Sequence, residues 1–167
     1  MMKPARPSFA LLFLVLLVFV CVGSQARPQE HAANGRLPSE PIHVSLDGKW
    51  KLFYFPQGKY PIALPEQLAT QRLSPIEAQV PGNFELDLSR KGELPADLVY
   101  GDNITKLKPY ELYEWWYQRE FPTPGGTAGR RLELHFRGVD CLATYWLNGK
   151  ELGESANALI DQRFDVT

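Results

Sequence analysis

The sequence predicts an all-β protein folded as a sandwich of two sheets. Short runs of alternating apolar and polar residues recur along the chain, and turn signals separate them, with 13 glycines and 14 prolines among 167 residues. Aromatic residues make up 12% of the sequence, a content typical of strands and sandwich interiors. No run of helical period is long enough to favour an α/β fold, and no internal repeat is present.

The first 26 residues have the three-part layout of a secretory signal peptide. Lys3 and Arg6 form a basic start, Phe9 to Val22 is an apolar block, and the small residues of Ser24-Gln25-Ala26 precede a cleavage position. The block is shorter than the roughly 20 apolar residues that span a bilayer, which argues against a stable membrane span. We therefore expect cleavage near Ala26 and a secreted or periplasmic protein.

Residues 27–41 are polar and rich in turn-forming residues, so we expect a flexible leader there and an ordered domain over residues 42–167. The net charge of the chain is −1, without a basic patch, which excludes nucleic acid as an expected partner. Cys141 is the one cysteine outside the predicted signal peptide, so an internal disulfide is excluded. Its apolar surroundings predict a small buried hydrophobic residue.

The domain is expected to begin with two strands in "IHVSLDGKWKLFYF", joined at Asp47-Gly48, a pair typical of a short hairpin or a turn. In the second strand both faces are partly apolar, which is typical of a strand inside a sandwich. A short helix is expected near Glu66 to Gln71, within a segment punctuated by proline.

Ile76 to Val80 is predicted as a strand that Pro81-Gly82 terminates. Asn83 then provides an N-cap for a short helix that ends near Gly92, although the spacing of its apolar residues also fits a strand. An irregular segment, "ADLVYGDNITKLKPYELY", follows; long loops in compact domains are often functional.

Three alternating strands come next, in "EWWYQREF", "RLELHF" and "LATYWLN". Asn148-Gly149 predicts a hairpin that joins the third strand to "KELGE", and "QRFDV" predicts a final strand. Core positions are expected at Leu134, Phe136 and Trp146.

The sequence shows no catalytic constellation and no cofactor motif. Its histidines lack metal-ligand spacing, so no metal is expected, and His43 and His135 are interpreted as structural. Most carboxylates are interpreted as surface charges, since sequence spacing does not reveal the pair of acids that a glycosidase needs. Tyr100, Tyr110 and Tyr113 suit either stacking on a sugar ring or core packing.

Five segments, in order, resemble the N-terminal sugar-binding-like domain of glycoside hydrolase family 2, which includes β-galactosidases, β-glucuronidases and β-mannosidases. They are "SLDGKWKL", "VPGNFELDL", "EWWYQREF", "LHFRGVDCLATYWLNGKELG" and "FDVT". "YGDN" followed by "EWWYQREF" is more similar to the β-mannosidase branch. Glu85 stands where β-mannosidases commonly carry histidine, and Gln118 replaces a usual basic residue, which leaves the substrate open.

The resemblance implies a jelly-roll sandwich similar to galactose-binding domains, here lacking its last strand or strands. It also implies that two catalytic glutamates lie in a later (β/α)-barrel, so that no catalytic residue is expected in this chain. Asp102 and Asn103, in the irregular segment, are the candidates for contact with a sugar. The expected partners are a carbohydrate, through the whole enzyme, and the chain's own catalytic barrel.

The resemblance thus predicts a non-catalytic, N-terminal domain of an exported, retaining glycoside hydrolase that acts on β-linked sugars, on the β-mannosidase pattern. A stand-alone carbohydrate-binding module, a parent enzyme of the β-galactosidase or β-glucuronidase type, and an inert adhesion or scaffold domain remain as alternatives.

Overall fold

The computed structural model describes the backbone of residues 19–22 and all of residues 40–167. Within this part the chain forms nine strands, one α-helix and two 3₁₀ helices. The strands are β1 (Phe19–Val22), β2 (Ile42–Ser45), β3 (Gly48–Pro56), β4 (Ile76–Val80), β5 (Tyr113–Gln118), β6 (Glu133–Phe136), β7 (Ala143–Leu147), β8 (Lys150–Ser155) and β9 (Gln162–Asp165). The helices are η1 (Pro65–Gln71), α1 (Phe84–Lys91) and η2 (Asn103–Tyr110).

The strands form three antiparallel groups over one core, as expected for an all-β sandwich. One sheet has the order β2-β1-β6-β9, a second has the order β4-β3-β5, and β7 pairs with β8. The rest of the predicted signal peptide and leader lies outside the described residues. No helix of the described part is long and apolar enough to cross a bilayer.

A turn at Asp47-Gly48 joins β2 to β3 as expected, but the two strands do not form the hairpin that this pair also suggested, because they belong to different sheets. The turn instead carries the chain from one sheet to the other, with Gly48 at a φ of 115°. Arg119 holds this corner, since its Nη1 donates to the carbonyl oxygens of Leu46 at 2.7 Å and Asp47 at 2.8 Å. The indole N–H of Trp50 also donates to the Leu46 carbonyl, at 2.9 Å.

The predictions for β4 and α1 are confirmed. Asn83 caps α1 by accepting a hydrogen bond from the backbone N–H of Leu86 at 3.1 Å. Gly92 ends the helix in the left-handed conformation that glycine adopts without strain. These caps explain why the segment is a helix although its apolar residues also fit a period of two.

The β7–β8 hairpin is confirmed, with Asn148 and Gly149 both at positive φ, as a type I′ turn requires. The strand register shifts between Tyr145 and Trp146. Cys141 is exposed, contrary to expectation, because it lies in the bend before β7 and outside the strand.

The core draws on all three groups of strands. Its largest fully buried apolar side chains are Trp115, Tyr145, Phe136, Leu52, Leu88 and Leu134. The ring centroids of Phe136 and Tyr145 are 4.5 Å apart, and Tyr145 lies 5.0 Å from Phe164 of β9. Trp146 packs against the core while staying partly exposed, so its expected burial is only partial.

Candidate functional site

The first turn of α1 places two acidic side chains against the sheet. Asp87 is 1% exposed, and its Oδ1 accepts hydrogen bonds from Arg90 and from the backbone N–H of Gln79 on β4, the latter at 3.0 Å. Burial raises the pKa of the Asp87 carboxyl, although these hydrogen bonds and the Arg90 charge oppose the shift. Asp87 therefore anchors α1 to β4, and the surface role expected of most carboxylates does not apply to it.

Some buried polar atoms in this region, including one on Asp87 itself, lack a hydrogen-bond partner. Among the described residues, Oδ2 of Asp87, Oε2 of Glu85 and Nε1 of Trp115 are buried and make no hydrogen bond. The phenol of Tyr117 is close enough to respond to both carboxylates. Its pKa is raised well above the ordinary value, first by burial and then by the negative charges of Asp87 and Glu85.

An aromatic cluster surrounds Trp115 on the same side of β5. Trp115 is fully buried, and its ring stacks on Phe84 of α1 at a centroid distance of 3.9 Å and on Tyr54 of β3 at 5.4 Å. Tyr110 and Tyr113 lie 6.1 Å and 6.0 Å from the same ring. Both tyrosines therefore contribute packing, which is one of the two roles that the sequence left open for them.

A network of polar groups closes the outer side of this cluster. Glu93 accepts hydrogen bonds from Tyr54 at 2.7 Å and Tyr110 at 3.4 Å, and it forms an ion pair with Lys91 at 2.7 Å. Partial burial raises the pKa of Glu93, but the bonds from Lys91 and Tyr54 outweigh this and leave it below the ordinary value. Burial, followed by the charge of Glu93, raises the pKa of Tyr110. The network fixes η2 to the sheet and α1.

Asp102 and Asn103, the candidates for sugar contact, lie at the start of η2. Asn103 donates its side-chain amide to the carbonyl of Asp97 at 2.8 Å, and the carbonyl of Asp102 accepts from Thr105. The side chain of Asn103 thus holds the loop, whereas the carboxylate of Asp102 caps nothing and stays exposed. The segment around them also exposes Val99, Tyr100, Ile104 and Leu112, by 87%, 75%, 53% and 62%.

A cavity of about 840 Å³ opens elsewhere, between η1, β5, β6 and the β7–β8 turn. Aromatic and polar groups share its wall, including Trp116, Tyr117, Gln118, Trp146 and Asn148. The indole nitrogen of Trp146 is buried there without a hydrogen-bond partner. Neither Asp102 nor Asn103 lines this cavity.

The other buried titratable groups also have structural partners. Glu114 is 7% exposed and accepts from the backbone N–H of Gly58 at 3.1 Å and from Nε1 of Trp116 at 3.3 Å. His135, 6% exposed, lies 2.7 Å from a carboxylate oxygen of Asp161. Within residues 40–167, no group of three or more potential ligands is placed to hold a metal ion. The buried carboxylates of Asp87 and Glu114 therefore serve as structural anchors.

Comparison with known proteins identifies the domain. Residues 66–167 match the family described as glycosyl hydrolase 2 galactose-binding domain-like. The chain belongs to this family. In this galactose-binding-like domain, "VPGNFELDL" supplies the strand end and the cap of α1, and "LATYWLNGKELG" supplies the β7–β8 hairpin.

Its relatives are glycosidases of two kinds. The chain is 34% identical over 90 residues to beta-mannosidase B of Thermothelomyces thermophilus, covering 54% of the chain and 10% of that protein. It is 31% identical over 148 residues to a beta-galactosidase of Aeromonas hydrophila subsp. hydrophila, covering 83% of the chain and 14% of that protein. Beta-mannosidase B of Aspergillus clavatus is 33% identical over 88 residues, covering 53% of the chain and 10% of that protein. No solved structure matches the chain.

Proposed function

We propose that the chain is the N-terminal, non-catalytic domain of an exported glycoside hydrolase that cleaves β-linked mannosides with retention of configuration. The supporting observations are the family match over residues 66–167 and the alignments with glycosidase relatives, which cover only 10% to 14% of the length of those relatives. The catalytic machinery of such an enzyme would lie in the remaining polypeptide. There, one glutamate attacks the sugar and a second acts first as acid and then as base.

The use of the buried acids supports a non-catalytic role. A retaining glycosidase needs two carboxyl groups about 5 Å apart on either side of the scissile bond. The carboxylates of Asp87 and Glu114 instead accept hydrogen bonds from the backbone N–H groups of Gln79 and Gly58. To act as a catalytic acid, either carboxylate would have to break its bond, which would disrupt the local structure. Export is supported by the signal-like composition of residues 1–26.

The segment from Asp97 to Leu112 is the surface that we assign to contact with the catalytic barrel. It exposes four large apolar side chains, those of Val99, Tyr100, Ile104 and Leu112. Single exposed apolar residues are common on protein surfaces, whereas several in one segment are typical of an interaction site. The bonds of Asn103 to Asp97 and of Glu93 to Tyr110 hold this segment in place. A rigid apolar loop of this kind braces a neighbouring domain and presents Asp102 toward its pocket.

Substitutions in the longer polypeptide test this assignment. We expect Tyr100→Ala to weaken the docked state by about 1–2 kcal/mol, the cost typical of a removed interface aromatic residue. The enzyme should then lose activity at a lower temperature, while the unfolding of the isolated chain stays unchanged because Tyr100 is 75% exposed there. Leu159→Ser is the matched control, since Leu159 is 94% exposed but lies outside the segment. If Tyr100→Ala and Leu159→Ser lowered the temperature of activity loss equally, the segment from Asp97 to Leu112 would be excluded as the surface that contacts the barrel.

The substrate and the sugar contact are tested in the same polypeptide. We expect the longer polypeptide to have a higher kcat/KM on an aryl β-mannoside than on the corresponding β-galactoside. A preference for galactoside or glucuronide would favour the alternative parent enzymes. Asp102→Ala should raise KM, while Lys106→Ala, which removes another exposed charge of η2, should leave KM unchanged.

The second candidate, a stand-alone carbohydrate-binding module, is favoured by the cavity with its unpartnered Trp146 N–H. Titration calorimetry of the chain with mannobiose and with galactose at millimolar concentration separates the two. A flat trace supports the bracing role. Saturable heat that Trp146→Phe abolishes would support the module.

A further inference from the structure

A tight turn fixes the backbone on the N-terminal side of Asp102. The backbone N–H of Asn103 donates to the carbonyl of Tyr100 at 3.2 Å and closes the turn over Gly101 and Asp102. Gly101 has a φ of 56°, and Asp102 has a φ of −92° and a ψ of 13°, as in a type II′ turn with glycine at its first central position. Asp102 therefore follows a position that glycine occupies without strain.

Thr105 holds the other side of Asp102, at the start of η2. Its backbone N–H and its hydroxyl both donate to the carbonyl oxygen of Asp102, at 3.0 Å and 2.6 Å. The backbone bond belongs to the 3₁₀ pattern, whereas the hydroxyl bond is an addition that only the side chain supplies. Rotation of the peptide that follows Asp102 would break both bonds together, so the hydroxyl makes this backbone more rigid.

The carboxylate of Asp102 takes no part in this arrangement. Aspartate at an N-cap commonly uses its side chain to accept from the first N–H groups of the helix. At the N-cap of η2, Asp102 makes no such bond, and the residue is exposed. The backbone that carries the carboxylate is thus held in place, while the carboxylate itself is available to a ligand.

We propose that Thr105 is a positioning residue for the sugar contact of Asp102. This inference rests on the proposed function, which assigns Asp102 to the pocket of the parent enzyme. A carboxylate on a fixed backbone loses less conformational freedom when it accepts a hydrogen bond from a sugar hydroxyl than a carboxylate on a mobile loop. Thr105 acts through Asp102 and needs no contact with the sugar.

Steady-state kinetics of the longer polypeptide on an aryl β-mannoside test this role. Thr105→Val keeps the shape of the side chain and removes the hydroxyl, so we expect KM to rise roughly two- to tenfold, the range for one lost hydrogen bond, with kcat unchanged. Thr105→Ser keeps the hydroxyl and should retain the original KM. Thr70→Val is the matched control and should leave KM unchanged, because the Thr70 hydroxyl makes the same kind of bond in η1, to the carbonyl of Gln67 at 2.7 Å.

A cycle of single and double substitutions shows whether Thr105 acts through Asp102. In the Asp102→Ala background the carboxylate is absent, so Thr105→Val should raise KM no further. A further increase of the same size in that background would show that Thr105 acts on another group, and would overturn the inference. An unchanged KM in Thr105→Val, while Asp102→Ala raises KM, would also overturn it and would leave the proposed sugar contact intact.

The same variants separate positioning from the docking of the domain. Weakened docking lowers the temperature at which activity is lost, as we expect for Tyr100→Ala, whereas Thr105→Val should change that temperature no more than Thr70→Val does. A larger fall would assign Thr105 to docking and exclude the positioning role. If Asp102→Ala itself leaves KM unchanged, the proposed sugar contact fails, and the role of Thr105 fails with it.

Discussion

Asp87 provides the sharpest test of how α1 is attached to the sheet. Asp87→Ala removes the acceptor for the Gln79 N–H, and an unsatisfied buried donor costs about 1–3 kcal/mol. The partner Arg90, whose side chain is 54% exposed, returns to water at little cost. Relief of the buried charge offsets part of the loss, so we expect a net destabilisation of about 2 kcal/mol.

The companion substitution Asp87→Asn separates the hydrogen bond from the charge. The amide oxygen still accepts from Gln79, so we expect a loss below about 1 kcal/mol at neutral pH. Because the folded-state pKa of Asp87 is raised, the folded state binds its proton more tightly than the unfolded chain. Stability then falls as pH rises from the ordinary value of 3.8 through the raised pKa, and Asp87→Asn should flatten that part of the profile.

Urea unfolding monitored by tryptophan fluorescence measures both effects. Glu77→Ala is the control on the same strand β4, since it removes only an exposed ion pair with Lys49 at 2.9 Å and should cost less than about 0.5 kcal/mol. Asp87 does not anchor α1 through its hydrogen bond to Gln79 if Asp87→Ala costs no more than Glu77→Ala, or if Asp87→Asn costs as much as Asp87→Ala.

Three further predictions concern a turn, the network and the sheet corner. Gly149→Ala should destabilise the chain by about 1–2 kcal/mol in thermal unfolding, because Gly149 has a φ of 76°, and no loss would contradict the turn geometry. Glu93→Gln should lower the pKa of Tyr110 toward its ordinary value in a spectrophotometric titration, and an unchanged titration would remove Glu93 from the network. Arg119→Ala should cost about 1–3 kcal/mol, since it leaves the Leu46 carbonyl with fewer donors, and a neutral result would show that the corner holds without it.

Several structural features could be predicted from residues that are close together in the sequence. Asn83 and Gly92 define the two ends of α1 through bonds within a few residues, and Asn148-Gly149 adopts the positive φ angles that a tight hairpin needs. Alternation of apolar residues also placed Leu134 and Phe136 in the core. Each of these features depends on neighbours that are close along the chain.

Features that depend on contacts between residues far apart in the sequence could not be predicted from local sequence patterns. The corner at Asp47-Gly48 resembles a hairpin locally, but Arg119, more than 70 residues away, fixes it. Glu114 is buried because the N–H of Gly58 reaches it from another segment, and alternation alone does not reveal such a partner. The proposed sugar contact of Asp102 stays a prediction, since the proposed function assigns the other groups of the pocket to the rest of the enzyme.

Hydrolysis of p-nitrophenyl β-D-mannopyranoside by the purified 167-residue chain tests whether this domain lacks catalytic groups of its own. We expect the chain to release p-nitrophenol no faster than buffer alone, while the longer polypeptide turns the substrate over. Release by the chain itself, proportional to its concentration and abolished by heat, would contradict the assignment of catalysis to the rest of the enzyme.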